Sequence, residues 1–335
     1  MAAEHVPHRT ASIVRAFLFD ADGEDRELEL DQLALGDRTD RELVWIDIQA
    51  HDAEAMEAEL QRLGLAELPL ACLLDNGHAP LFTQDAWFGG RALAPVPQPE
   101  HDTYIGAPWL FAARDSVAIT VHRTPIDFLA QIADHEDSGS RLGQLNADSF
   151  VAALLDRMLT VYFDEVDAFE DRLDRLEVEI LEPHPRTTHL PQLRKLRRAV
   201  SVLRRLLSAQ RDMFDAIQRP DFRPEQDARI EAQFRAVSAR FGRAMGAVEN
   251  ARDLVIGSYE LLSTRLSQRT NDTMRLLTFV TVLLGSLAVV AGVLGMNFQA
   301  TLFESGSRGF WTTVSAMLAS ILLAGLLARW RGWWK

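Results

Sequence analysis

Residues 276–296 read LLTFVTVLLGSLAVVAGVLGM, and residues 310–328 read FWTTVSAMLASILLAGLLA. Neither of these two apolar segments contains a charged residue. Each comes close to the ~20 residues that an α-helix needs to cross the ~30 Å hydrocarbon core of a bilayer. The segments therefore predict two transmembrane helices, and they make the lipid bilayer the first expected partner of the chain.

Basic residues flank the pair of apolar segments, whereas residues 297–309 between them hold one arginine and one glutamate. Cytoplasmic flanks of transmembrane helices carry an excess of lysine and arginine. This bias predicts a multi-pass inner-membrane protein with both termini in the cytoplasm. Residues 297–309 then form a periplasmic loop, and residues 329–335 form a basic cytoplasmic tail. The flanking residues are Arg265, Arg269 and Arg275 on one side and Arg329, Arg331 and Lys335 on the other.

The part of the chain before the apolar segments is acidic. The 335 residues have a net charge of −13, and because residues 276–335 carry +3, residues 1–275 carry −16. Nucleic acids bind clustered lysine and arginine, so we expect no nucleic-acid partner. Cys72 is the one cysteine, which excludes an internal disulfide and a cysteine-based zinc site. The sequence has no nucleophile–base motif and no phosphate-binding glycine loop, so we do not expect an enzyme.

The N-terminal third alternates between strand and helix patterns. Residues 12–19 and 43–49 have the short β-branched and aromatic composition of strands. Residues 51–63 predict a helix that ends at Gly64, and residues 109–121 predict a hairpin. The order of residues 80–106, which are rich in glycine and proline, is left open. Together these patterns predict a cytosolic α/β domain over residues 1–125.

Helical patterns dominate residues 126–275. Residues 150–181 and 190–217 predict two helices with opposite charge, which favours an antiparallel pair with complementary faces. The acidic face is equally able to collect hydrated divalent cations. The charged residues are Asp164, Glu165, Asp167, Glu170, Asp171, Asp174, Glu177 and Glu179 on the first helix and Arg194, Lys195, Arg197, Arg198, Arg204, Arg205 and Arg211 on the second.

A long helix is predicted to lead into the first apolar segment. No proline occurs from Glu225 to Met296, and a helix over this range would be ~105 Å long. Such a helix needs lateral partners, so we expect an oligomeric stalk.

One face of the first apolar segment carries small or polar residues, which we call the small-residue stripe. Such a stripe indicates either a pore wall or close packing between helices. The segment has no carboxylate, histidine or cysteine, so a pore there would suit a cation that keeps most of its water. Two helices per chain cannot enclose a pore, so transport would require several subunits. The stripe consists of Asn271, Met274, Thr278, Thr281, Gly285, Ala288, Gly292 and Gly295.

The C-terminal part of the chain resembles the CorA family of divalent-cation transporters. The first apolar segment ends in Gly295-Met296-Asn297, followed at once by Phe298, and it is preceded by Thr270-Asn271-Asp272. Residues 119–123 and 193–212 resemble the last strand of that family's N-terminal domain and its penultimate cytosolic helix. The resemblance implies a funnel-shaped homopentamer with a cytosolic α/β domain, a long helical stalk and two C-terminal transmembrane helices, of which the first lines the pore.

The resemblance also implies roles for individual residues. Asn297, with Gly295 and Met296, would form an outer ring that receives hydrated Mg²⁺. Asn271 would form an inner polar ring, and Met274 and Leu277 a hydrophobic constriction. The small-residue stripe adds three further residues to the predicted pore wall, namely Thr281, Gly285 and Gly292. The cargo would be Mg²⁺, and also Co²⁺ or Ni²⁺, with no bound cofactor.

The chain departs from the family pattern at three places. The outer loop keeps Glu304 as its one acidic residue for attracting cations. Gly285 and Ser286 replace the bulky residue and proline that many relatives carry in mid-segment. Ala236 occupies the position where magnesium-regulated relatives often carry an intersubunit aspartate, which argues against closure by intracellular Mg²⁺ at that position.

Two alternatives stay open on the sequence. Residues 193–212 also resemble the ZntB branch of the family, which transports Zn²⁺. A membrane-tethered oligomeric sensor without conduction is an alternative of another class, and it would need no polar ring at Asn297.

Overall fold

The computed structural model describes residues 12–30, 41–70, 81–84, 86–134, 141–182, 189–219, 221–223, 227–296 and 306–331. The chain divides into two compact units, residues 1–258 and residues 259–335. The finer predicted boundaries after residues 125 and 275 stay predictions.

The first unit contains a seven-stranded sheet in the order β2-β1-β3-β7-β6-β5-β4. Strands β3 and β7 pair in parallel, with Val44 opposite Val117, and the other described pairings are antiparallel. The strands are β1 (Ile13–Asp20), β2 (Arg26–Leu28), β3 (Glu42–Gln49), β4 (Leu81–Gln84), β5 (Trp87–Gln98), β6 (Thr103–Arg114) and β7 (Val117–His122).

Helices cover both faces of this sheet. On one face α1 adds Met56 and Leu60 to an apolar core with Val44 and Ile46. Successive side chains of a strand point to opposite faces, so Trp45 faces the other side, where its ring centroid lies 5.6 Å from that of Phe150 on α3. The helices are α1 (Ala53–Arg62), α2 (Asp127–Ala133), α3 (Ala147–Leu181), α4 (His189–Ser208), α5 (Arg211–Ile217), α6 (Ala228–Leu294) and α7 (Ser307–Trp330).

Local signals account for several helix ends. The Asp52 side chain accepts a hydrogen bond from the backbone N–H of Ala55 at 2.7 Å, and Asn146 accepts one from Ser149 at 2.9 Å. These contacts satisfy N–H groups that the first turn of a helix leaves free. Gly64, with φ of +72°, follows α1 as predicted.

The glycine- and proline-rich residues whose order the sequence left open form the longest hairpin of the sheet. Strands β5 and β6 pair from Phe88 opposite Ala113 to Gln98 opposite Thr103. Because β4 reaches only the first residues of β5, the later part of β5 is an edge of the described sheet. Proline is tolerated on such an edge, where no ladder hydrogen bond is lost.

The helical segment predicted over residues 190–217 is present, but the prediction of one continuous helix is wrong, because α4 and α5 are separated at Ala209 and Gln210. Gln210 is 2% exposed. Its Oε1 accepts a hydrogen bond from the backbone N–H of Leu93 at 2.9 Å, and its Nε2 donates to the carbonyl of Leu93 at 3.2 Å. The Tyr162 hydroxyl also donates to this carbonyl, at 2.9 Å. Side chains of the helical layer thus complete the hydrogen bonds of the β5 edge.

The long helix predicted ahead of the first apolar segment is confirmed. Helix α6 runs through 67 residues, from Ala228 to Leu294, and so includes nearly all of that segment.

Candidate functional site

The predicted pore residues lie on α6 or directly after it. Beyond Leu294, the N–H of Gly295 donates to the carbonyl of Ala291 at 2.9 Å, and the N–H of Met296 donates to that of Val293 at 3.2 Å. The helix therefore ends next to the Gly295-Met296 pair. Asn271, Met274, Leu277, Thr281, Gly285 and Gly292 lie within α6, whereas Asn297 and Glu304 lie outside the described residues.

Helix α7 lies beside one face of α6. A groove is lined by Phe279 and Leu283 of α6 together with Ala324 of α7, and a second groove joins Leu294 to Thr313. Phe279, Leu283 and Leu294 are half-buried, while most of the residues around them are exposed.

Part of the small-residue stripe lies on the opposite face of α6. At about 100° per residue, Thr281, Gly285 and Gly292 fall roughly 180° around the helix from Phe279, Leu283 and Leu294. Leu277 lies at the margin of the stripe, because its position is about 60° away from that of Gly292. Thr281, Gly285 and Gly292 are therefore directed away from α7, whereas Asn271, Met274 and Thr278 line a groove together with Ala324 of α7.

Nothing in the described chain requires the stripe to be small. A Cβ atom built on Gly285 or Gly292 would have no described atom within 4 Å, apart from the backbone of its own helix. Small residues in membrane helices commonly permit close approach of another helix, and they also widen a pore. Close helix packing requires an additional copy of the chain, and a widened pore requires a lumen between several copies.

The polar groups of the stripe suit the water shell of a cation. The hydroxyl groups of Thr278 and Thr281 each donate a hydrogen bond, at 2.8 Å, to the backbone carbonyl four residues earlier. Their protons are therefore engaged, while their oxygen lone pairs can accept hydrogen bonds from water. The Asn271 amide has no hydrogen-bond partner among the described residues. Water bound to a cation points its protons outward, so these oxygens match a hydrated ion.

The small-residue stripe carries no charged side chain that could replace the water of a metal ion. Among the described residues, no group of three or more His, Cys, Asp or Glu side chains is arranged to hold a metal ion. The stripe presents neutral oxygens and sulfur instead. Mg²⁺ gives up its water reluctantly, so the face suits an ion that keeps its water.

A groove beside the stripe is not apparent from the sequence pattern. It measures about 490 Å³ and is lined by Asn271, Thr278 and Ser286 of α6 and by Ala324 of α7, among others. The sequence feature that could have indicated this groove is Ser286, a polar residue within the first apolar segment. Its hydroxyl donates to the carbonyl of Leu283 at 2.9 Å, as the stripe threonines do to theirs.

Both C-terminal helices have the length and composition needed to cross a membrane. In the most apolar 18-residue window of each, no residue is buried. Trp311 near the start of α7 and Trp330 at its end are 63% and 85% exposed. Tryptophan is enriched where a transmembrane helix meets the membrane–water interface.

Residues 40–330 match the family described as CorA-like Mg²⁺ transporter proteins. The chain belongs to this CorA-like family. It is similar to the divalent cation transporter CmaX of Pseudomonas aeruginosa, with 26% identity over 337 residues, which cover 96% of the chain and 94% of CmaX. It is also similar to the cobalt/magnesium transport protein CorA of Thermotoga maritima, with 29% identity over 153 residues, or 46% of the chain and 43% of that protein.

The fold of the CorA-like chain is similar to that of the CorA magnesium transporter from Methanocaldococcus jannaschii. The TM-score is 0.72 at 18% sequence identity, over 96% of this chain and 99% of the other. The predicted architecture is thereby confirmed: an α/β part, a long helix and two C-terminal transmembrane helices. The roles of individual pore residues stay predictions.

Proposed function

We propose that this CorA-like chain forms a homopentameric channel or transporter of the inner membrane that takes up divalent cations, chiefly Mg²⁺ and also Co²⁺ or Ni²⁺. One observation carries the proposal. The small-residue stripe of α6 is neutral and offers oxygen atoms that accept hydrogen bonds from water, and its members Thr281, Gly285 and Gly292 lie on the side of α6 away from α7.

In the proposed pore, five copies of the stripe surround a central axis. Asn297 forms a ring of amides at the outer mouth, and Glu304 attracts cations toward it. Asn271 forms a second ring at the inner end. The ion keeps most of its water throughout, because the lining has no charged ligand to replace that water. Met274 and Leu277 narrow the path, and an apolar constriction of this kind closes a pore by excluding water.

The proposed orientation places both termini in the cytoplasm and residues 297–309 in the periplasm. Arginines flank the two apolar segments at their inner ends, in keeping with the excess of positive charge on cytoplasmic flanks. Oligomerisation is supported by the unburied apolar surface of both helices, since two helices cannot enclose a path for ions.

Uptake into liposomes tests the proposal. The full chain is reconstituted with a magnesium-sensitive dye inside the vesicles, and Zn²⁺, Co²⁺ and Ni²⁺ are added as competitors. We expect saturable Mg²⁺ uptake that Co²⁺ and Ni²⁺ inhibit. Uptake of Zn²⁺ in preference to Mg²⁺ would support a ZntB-like transporter instead, and an intact oligomer that passes no divalent cation would support a tethered sensor.

The Asn297 ring is tested in the same assay. We expect Asn297→Ala to abolish uptake while the oligomer stays intact, because alanine cannot hydrogen-bond the water shell of the ion. Gln299→Ala is the matched control, since it removes a neighbouring amide from the same loop. Wild-type uptake by Asn297→Ala would contradict the proposed ring, and a monomeric or dimeric mass in detergent would contradict the pentamer.

A further inference from the structure

Helix α3 carries a row of acidic side chains on its outer face. Asp164, Asp167, Asp171 and Asp174 follow one another at intervals of three and four residues, which places them on one side of the helix. All four are exposed, and none has an ion-pair or hydrogen-bond partner in the described part of the chain. We call these four residues the acidic stripe.

Helix α4 carries a matching row of basic side chains. Arg194, Arg197, Arg198 and Arg205 are exposed, and their guanidinium groups have no partner within the described ranges. We call these four residues the basic stripe.

The two stripes do not neutralise each other within one chain. Helices α3 and α4 pack antiparallel, because Glu179 lies 3.8 Å from His189 at one end of the pair and Tyr162 lies 3.2 Å from Gln210 at the other. Each stripe, however, lies opposite the buried face of its own helix. The predicted charge pairing between these helices is therefore not formed by the described residues.

Other charged groups on the same helices do have partners. Asp156 of α3 pairs with Arg240 of α6 at 2.6 Å, and Lys195 of α4 pairs with Asp102 at 2.7 Å. Arg204 of α4 lies 3.9 Å from Glu249 of α6. The unpaired charges are thus concentrated on the two outward faces.

The stripes match in charge and length. Each holds four like charges, over a rise of ~15 Å for the acidic stripe and ~16 Å for the basic stripe. One basic residue, the exposed Arg175, borders the acidic stripe four residues after Asp171. Like charges at three- and four-residue spacing disfavour a helix, and neighbours within a Debye length of ~8 Å repel with little screening. A partner of opposite charge and similar length would relieve both helices.

We propose that the acidic stripe of one copy binds the basic stripe of a second copy. The inference rests on the oligomer proposed above. A second copy is the one occupant that satisfies both stripes at once, whereas an anionic surface would meet only the basic stripe and would be repelled by a region of net charge −16. Because the two stripes differ, each copy donates one and receives the other, and contacts of this head-to-tail kind can close into a ring.

Disulfide trapping tests the contact directly. The chain has one cysteine, so a Cys72→Ser background removes every native thiol. Asp171→Cys and Arg198→Cys are then combined in one full-length chain, and the assembled protein is oxidised in detergent. We expect a ladder of disulfide-linked multimers on a non-reducing gel. A second pair, Asp167→Cys with Arg198→Cys, tests a contact that is displaced by one helical turn along α3.

The controls distinguish a specific contact from random collision. Either cysteine alone gives no ladder, because the proposed contact never brings two copies of the same residue together. Glu57→Cys with Arg198→Cys also gives none, since Glu57 is an exposed acidic residue on α1. Intact oligomers without a ladder from either stripe pair would overturn the proposal.

Charge reversal gives an independent readout. Asp167→Arg with Asp171→Arg places basic side chains against the basic stripe of the next copy. We expect this variant to lose at least half of its intact oligomers at about 0.1 M NaCl and to regain them at about 1 M, where the Debye length falls from ~10 Å to ~3 Å. The wild type should show the opposite dependence on salt.

Rescue completes the test. Adding Arg194→Asp and Arg198→Asp to the reversed chain restores opposite charges across the contact, and we expect it to restore oligomers at low salt. Glu54→Arg with Glu57→Arg, an exposed acidic pair on α1, is the matched control and should leave assembly unchanged. Failure of rescue would overturn the stripe contact. Persistent Mg²⁺ uptake in that case would leave the proposed transport function unaffected. A monomeric wild type would overturn both proposals.

Discussion

At the scale of single residues, the size of Gly285 has no cause within its own chain. A side chain there would contact no described atom within 4 Å beyond the backbone of its own helix. Because α7 lies against the opposite face of α6, the space in front of Gly285 belongs either to the ion path or to another copy. A larger residue at this position separates the two explanations.

We expect Gly285→Leu to reduce Mg²⁺ uptake by at least about tenfold, because an added apolar side chain narrows and dries a neutral pore. The matched control is Gly325→Leu on α7, where a Cβ atom also has nothing within 4 Å, and it should keep near wild-type uptake. Liposome uptake per reconstituted oligomer is the measurement. Loss of the oligomer in Gly285→Leu would instead assign the stripe to helix packing.

A second informative residue is His122, which is 5% exposed at the end of β7. Its Nδ1 lies 2.7 Å from the carbonyl oxygen of Thr124, and its Nε2 lies 3.2 Å from a carboxylate oxygen of Asp47. Both partners accept hydrogen bonds, so both ring nitrogens must donate, as they do in the protonated form. Burial opposes this charge, but the hydrogen bond and negative charge of Asp47 outweigh it and raise the pKa of His122.

We expect His122→Asn to be most destabilising at low pH. A raised pKa in the folded protein means that protonated His122 stabilises the fold fully below its unfolded value of 6.5, and that this contribution is lost as the pH rises through the folded value. Thermal unfolding at about pH 6 should show a loss of ~2 kcal/mol, typical of a hydrogen bond to a charged group. The difference from wild type should shrink by about pH 9.

The control for this titration is His101→Asn, because His101 is exposed. It should leave the unfolding temperature nearly unchanged. A constant difference between wild type and His122→Asn across the same range would contradict the charged state inferred for His122.

At the scale of elements, local patterns predicted β1, β3, β7 and α1 to within two residues. The three strands are short runs rich in β-branched and aromatic residues, and Gly64 follows the end of α1. Strand β5 could not be predicted, because Pro95 and Pro97 argue against a strand unless it is known that no neighbouring strand pairs with that edge. The break between α4 and α5 has no local signal either. Its partner, Leu93, lies 117 residues away from Gln210 along the chain.

The candidate site shows the same limit. The helical period alone identified the small-residue stripe, but it did not decide between a pore wall and helix packing, and it favoured packing. Which face of α6 lies beside α7 depends on contacts of Phe279, Leu283 and Leu294 with a helix that follows a loop. The roles of Asn297 and Glu304 rest on the family resemblance and stay predictions.

The edge of β5 gives a prediction at this scale. We expect Gln210→Ala to destabilise the first unit by ~1–3 kcal/mol, because the N–H of Leu93 would lose its acceptor in a partly buried place. Tyr162→Phe should cost less, since Gln210 still donates to the same carbonyl. Chemical denaturation of the full chain measures both effects.

Because the two side chains share Leu93, the double variant should depart from the sum of the single effects. Gln61→Ala is the control, an exposed glutamine on α1, and it should change stability by less than about 0.5 kcal/mol. Equal effects of Gln61→Ala and Gln210→Ala would show that the edge contact contributes nothing.

At the scale of the whole molecule, the prediction on regulation by intracellular Mg²⁺ rests on Ala236. This residue is exposed on α6 and offers no carboxylate, although the family resemblance places a magnesium-sensing aspartate there. A ligand shifts an equilibrium between two states only through its different affinity for them. We therefore expect millimolar Mg²⁺ to change the symmetry of the oligomer little, as judged by cryo-microscopy with Mg²⁺ and with chelator.

The converse variant sharpens this prediction. Ala236→Asp should gain a magnesium-dependent change in symmetry, whereas Ala239→Asp, at an exposed position on the same helix, should not. A large response of the wild type would point to other carboxylates of α6, such as Asp253 or Glu260.

The empty space in front of Gly285 and Gly292 also bears on how such proteins diversify. Mutations at these positions meet no neighbour in the folded monomer, so natural selection can act on what passes through the membrane without first repairing the fold. Positions such as Gln210 and Trp45 lack this freedom, because their side chains are enclosed by their own chain. Descendants of a common ancestor would therefore be expected to differ sooner in cargo than in architecture.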